Sequence, residues 1–141
     1  MKSARDLARA SMAAVEAGDR DGWLALFADD AIVEDPIGPS AFDPEGKGHR
    51  GATAIAAFYD NVIGANESIK FDIRQSFLCG DEIANVGLIR ITVAAGMVVE
   101  VDGVYTYRRS PDGKIAALRA YWESDSIRTV EEGNVGAPEP A

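Results

Sequence analysis

Asp35 is the residue in this chain whose type and place together suggest chemistry. It alternates with Ala31 and Val33 along a short apolar run, while Glu34 and Ile32 point to the opposite face. A carboxylate on an apolar face loses water, so it must find a partner or be held more basic than in solution. A shielded, basic carboxylate is suited to taking a proton from a carbon beside a carbonyl. The plainer reading is a solvated carboxylate at a strand end before Pro36, and spacing alone favours it. The other usual reactive side chains are scarce. Cys79 is the only cysteine and His49 the only histidine. An intramolecular disulfide and a cysteine-based zinc site are therefore ruled out, and any metal site or relay would rest on one histidine. His49, between Lys47 and Arg50, reads as a solvated loop residue. No metal, nucleotide or flavin signature is present, so no cofactor is expected.

The elements that must position Asp35 follow from periodicity. The 141 residues fit one domain, with 47% apolar and 26% charged residues, ordinary values for a globular chain. The formal charge of −9 argues against nucleic acid or an anionic membrane as partner. No apolar run is long enough to span a bilayer, and the first residues lack a signal-peptide segment. With a lone cysteine, a reducing cytoplasm is the expected compartment. Ser3 can cap a helix over residues 4 to 17, and Gly18 suits its left-handed end. Asp19 can cap a second helix holding Trp23, Leu26 and Phe27. Residues 31 to 35 read as a strand. A loop from Gly38 to Gly51, with two prolines and four glycines, is long enough to rim a site. Ile55, Phe58, Tyr59 and Val62 share one face of a third helix, residues 53 to 64.

Four long strands are expected after it: 68 to 78, 83 to 94, 98 to 108 and 115 to 124, joined by hairpin turns. Val99, Val101, Gly103, Tyr105 and Tyr107 share one face of the third of these, and Ala116, Leu118, Ala120 and Trp122 one face of the fourth. One sheet face is thus apolar and the other mixed. The expectation is an α+β fold in which a curved antiparallel sheet wraps three helices and encloses a pocket. The mixed outer face suits a homodimer. The domain is expected over residues 1–128, with a Gly-, Pro- and Glu-rich flexible tail over 129–141.

The string ALFADDAIVEDPIG (Ala25 to Gly38) resembles the matching segment of the ketosteroid isomerases, as do EAGDRDGW (Glu16 to Trp23), AIAAFYDN (Ala54 to Asn61) and GKIAALRAYWE (Gly113 to Glu123). The matches run in order from Leu7 to Glu123. The resemblance implies the conical barrel of the nuclear transport factor 2-like and SnoaL-like superfamily. In the family an aspartate shuttles a proton between two carbons of a steroid, and a tyrosine and a protonated aspartic acid bond the oxygen. The shuttling aspartate matches Asp35. The tyrosine position falls on Ser11, and the second aspartate falls on Gly103. Asp102 is one residue away and faces the other side unless a bulge turns it. Losing an oxyanion donor typically costs about a hundredfold to a thousandfold in rate.

Tyr59 matches a family tyrosine on the third helix and is one candidate substitute donor, with Ser11; a core tyrosine is the equal alternative. Trp122 matches a pocket-lining residue, with Phe58, Val99, Val101, Leu118 and Trp23 as companions. For each of these singly, core packing is the commoner role. Tyr105 and Tyr107 read as core or rim rather than ligand contacts. The implied functions are a cofactor-free isomerase of a 3-oxo-steroid or similar polycyclic ketone, a steroid- or lipid-binding protein using the same pocket, or a SnoaL-like polyketide cyclase or hydratase.

Overall fold

The computed structural model describes residues 1–130. Ser3 caps α1 (Ala4–Ala17): its hydroxyl accepts from Asp6 N, and the Asp6 carboxylate accepts from Ser3 N. Gly18 ends the helix at φ 68°, in the left-handed region that glycine enters without strain. Asp19 caps α2 (Arg20–Leu24) by accepting from Gly22 N. This helix is shorter than its sequence suggests. Phe27 already begins β1 (Phe27–Glu34), because its ring is drawn into the core against Trp23, 4.5 Å between centroids. After β2 (His49–Arg50) comes α3 (Gly51–Phe58), whose last turn widens to a π-turn over Tyr59–Ile63. The remaining strands are β3 (Ser68–Cys79), β4 (Glu82–Thr92), β5 (Val98–Arg109), β6 (Ile115–Tyr121) and β7 (Arg128–Val130).

The sheet order is β2-β1-β6-β5-β4-β3, with β7 also paired to β5. The expected meander is present, but the sheet is mixed rather than wholly antiparallel, because β1 runs parallel to β6. A long bulge between Phe27 and Ile32 brings β1 into the register Val33↔Leu118 and Glu34↔Arg119. Thr129 and Val130, the first two residues of the expected tail, pair with Val99 and Val98. The rest of that expectation, residues 131–141, lies outside the described residues.

α1, α2 and α3 fill the concave side. Leu7, Trp23, Val33, Ile55, Phe58, Ile83 and Ile115 are all within 2% of full burial. Each such side chain contributes roughly 1.5–3 kcal/mol of burial free energy. Glu34 and Asp35 then part company as alternation requires. Glu34 accepts from Arg119 Nε at 2.9 Å on the outer face, and Asp35 turns inward. Among the described residues no helix is long and apolar enough to cross a membrane.

Candidate functional site

The concave side holds a cavity of about 350 Å³ that opens at one end of the cone. Its walls are apolar: Val15, Phe58, Ile69, Ile89, Val99, Val101 and Leu118 face it from helices and sheet. Phe42, from the long loop, and Ile127 stand at its mouth. The charged residues of that loop are used elsewhere. Asp43 accepts from Lys47 N and Gly48 N, and Glu45 pairs with Lys47. Among the described residues no Lys, Arg or His lines the cavity, and Asp35 is its one carboxylate.

The parallel register of β1 and β6 explains where that carboxylate goes. Asp35 leaves the end of β1 just as Trp122 leaves the end of β6, and Trp122 Nε1 donates to Asp35 Oδ1 at 2.6 Å. Protein surrounds Asp35, while the cavity keeps part of its surface reachable. Burial pushes its carboxyl above the ordinary 3.8; the Trp122 bond and the more distant His49 pull the other way without reversing the shift. The result is a base stronger than a solvated carboxylate, with one oxygen held by Trp122.

A second polar group sits in the same cavity. Ser11, on the buried face of α1, accepts from Trp23 Nε1 at 3.0 Å, and its Oγ lies 3.2 Å from Tyr107 Oη. Tyr105 also lines the cavity, but its hydroxyl donates to Val101 O at 3.0 Å. Burial first, opposed by the Ser11 bond and aided by the Asp35 charge, holds the Tyr107 hydroxyl protonated far above its ordinary range. Burial and the charges of Asp35 and Asp102 do the same for Tyr105.

The structure therefore gathers Asp35, Ser11, Trp122, Phe58, Val99, Val101, Leu118 and Trp23 around one cavity. It does not bring Tyr59 there. The Tyr59 ring packs 5.5 Å from that of Trp23, outside the cavity lining. Burial and the carboxylates of Asp19 and Asp60, against Arg20, hold its hydroxyl above the ordinary range. Trp23, against which Tyr59 packs, itself lines the cavity and donates to Ser11.

Gly103 does not line this cavity either. A Cβ there would lie 2.5 Å from Tyr121 O and 3.1 Å from Tyr105 Oη, so the position is closed by β6 and the Tyr105 hydroxyl. Asp102 stays on the outer face, bonded to Arg128, with no bulge to turn it. Tyr105 and Tyr107, which sequence reasoning set aside as core or rim, are among the residues that line the cavity. Their shared face with Val99 and Val101 was the available signal, but tyrosine on an apolar strand face is so often core that alternation alone does not single it out.

Residues 8–118 match the family model described as a SnoaL-like domain. The chain is 33% identical over 112 residues to the steroid Delta-isomerase of Nocardioides simplex, covering 77% of this chain and 80% of that protein. The crystal structure of a Delta 5-3-ketosteroid isomerase from Mycobacterium sp. superposes with a TM-score of 0.85 at 41% identity, covering 90% of this chain and 98% of that one. RV0760c from Mycobacterium tuberculosis, crystallised in complex with estradiol-17beta-hemisuccinate, superposes with a TM-score of 0.84 at 39% identity, covering 90% and 99%.

Proposed function

Because the chain belongs to the SnoaL-like domain family, as a ketosteroid isomerase-like member of it, we propose that it shifts a carbon–carbon double bond in a neutral polycyclic ketone with Asp35 as the base. One observation carries the reading: the one carboxylate that lines the cavity among the described residues is half-buried, raised in basicity and bonded by Trp122 among apolar walls. A flat apolar ligand fits those walls. Asp35 takes the proton from the carbon between the carbonyl and the double bond. The C–H electron pair enters a new carbon–carbon double bond, and the carbonyl π pair moves onto oxygen. When the oxygen pair re-forms the carbonyl, the dienolate takes the proton from Asp35 at its γ carbon. Atoms and charge balance with no co-reactant.

A second reading is a binding protein that holds the same ligand without turnover. The outward position of Asp102 and the closed position of Gly103 favour it, since neither supplies a donor to the ligand oxygen. The two readings separate when 5-androstene-3,17-dione is mixed with the protein and the conjugated-enone absorbance is followed. Turnover that drops at least about a hundredfold in Asp35→Asn supports the isomerase. Saturable binding with no absorbance change supports the binding protein, and neither binding nor turnover rejects both.

A further inference from the structure

Among the hydroxyl and indole groups lining the cavity, the hydrogen bonds account for every polar proton except one; the amides of Asn61 and Asn66 also line it, Asn66 Nδ2 donating to Val62 O. Each tryptophan N–H is used: Trp122 Nε1 on Asp35 and Trp23 Nε1 on Ser11. The Tyr105 hydroxyl proton is used on Val101 O. Ser11 and Tyr107 remain, two hydroxyls with two protons and a single hydrogen bond between them. An indole N–H can only donate, so Ser11 Oγ is already an acceptor, and one proton of the Ser11–Tyr107 pair is left without a protein acceptor among the described residues. Both residues line the cavity, so that proton is available to a ligand.

We propose that Tyr107 is the group that hydrogen-bonds the ligand's carbonyl oxygen, with Trp23 and Ser11 orienting its proton into the cavity. A carbonyl arriving at the floor selects the sequence Trp23 N–H to Ser11, Ser11 O–H to Tyr107, Tyr107 O–H to ligand. The reverse arrangement would present the serine proton instead. A phenol is a much stronger acid than an alkyl alcohol, so it forms the stronger bond to an oxygen gaining charge. Bonds in such a line polarise one another, which adds to the donor's strength. The charge balance is also favourable. As Asp35 takes its proton, the negative charge leaves the carboxylate and appears on the ligand oxygen. The Asp35 field that opposed charge near Tyr107 fades at the moment the donor is needed. Ser11 acts through Tyr107 and is a positioning residue in this scheme. The expected donor position on α1 has thus moved to β5, across the cavity wall.

This inference rests on the reading of a 3-oxo ligand beside Asp35, and the test distinguishes the two. The probe is 4-androstene-3,17-dione, whose enone absorption moves to longer wavelength when its carbonyl accepts a strong hydrogen bond. The bound probe is expected to show that shift in the parent protein and in Asp35→Asn, and to lose it in Tyr107→Phe. Turnover of 5-androstene-3,17-dione in Tyr107→Phe is expected to fall about a hundredfold to a thousandfold through kcat, with KM little changed. Ser11→Ala should give a smaller fall and a reduced shift, and unchanged far-UV circular dichroism will confirm that both variants fold. A shift and a kcat retained in Tyr107→Phe, or lost in Ser11→Ala alone, overturn the assignment while leaving Asp35 as base. A parent protein that does not bind the probe overturns both readings together.

Discussion

At the residue scale, the behaviour of Asp35 with pH follows from its surroundings. Its folded-state carboxyl lies above the ordinary 3.8 that the unfolded chain shows, mainly because of burial. The folded chain therefore holds the proton to higher pH than the unfolded one. The stability this lends is complete below 3.8 and is lost as pH rises through the folded value. Asp35→Asn removes the charged state, so we expect a higher melting temperature than the parent at pH 7, with the gap closing in acid. Equal melting temperatures at pH 7 would contradict the burial argument. Turnover needs the ionised form, so the rate should rise with pH through the raised pKa and then level off. In Trp122→Phe the bond that favours the carboxylate is gone, and the rise should move to higher pH. Tyr59→Phe, by contrast, alters a ring outside the cavity and is expected to leave turnover unchanged; a large loss would return Tyr59 to the site.

At the scale of elements, alternation in β5 correctly put Val99, Val101, Tyr105 and Tyr107 on one face, because a strand leaves side chains no other choice. Ser3 and Gly18 fixed the ends of α1 for equally local reasons. The start of β1 was not legible. Leu26 and Phe27 continue a helical pattern, and only the packing of Phe27 on Trp23 ends the helix early. The parallel pairing of β1 with β6 was not legible either, since it joins Glu34 to Arg119, 85 residues on, and it is this pairing that sets Trp122 against Asp35. The pinch between β5 and β6 at Gly103 is similarly tertiary. Gly103→Ala would drive a Cβ into Tyr121 O, and we expect overpacking to cost roughly 1–3 kcal/mol, read as a lower midpoint in urea.

At the scale of the whole molecule, a net charge of −9 and a cavity that no Lys, Arg or His lines among the described residues act in the same direction. A ligand carrying a carboxylate into that cavity would meet Asp35 with no compensating positive charge. We expect neutral steroids to bind at least about tenfold more tightly than an analogue with a carboxylate on the end that enters first, as measured by quenching of Trp23 and Trp122 fluorescence. The outer face of the sheet carries Val86, Val104 and the half-exposed Tyr121 beside the Arg90–Glu100–Arg128–Asp102 ion pairs. We propose that a second copy of the chain covers it. Sedimentation should find a dimer at micromolar concentration that Tyr121→Asp weakens, and a monomeric parent would reject the proposal.

The amino-acid sequence by itself determined the ends of α1, the four long strands β3 to β6, the opposite faces of Asp35 and Glu34, and the family motif around them, because propensity, alternation and capping act over a few residues. Only the tertiary structure decided which groups face Asp35 across the cavity. Trp122 reaches it through a parallel strand pairing, Tyr107 takes the place beside Ser11, and Tyr59 packs on Trp23 outside the cavity lining. Those choices depend on which side chains fill a shared volume, and no single stretch of sequence contains that volume.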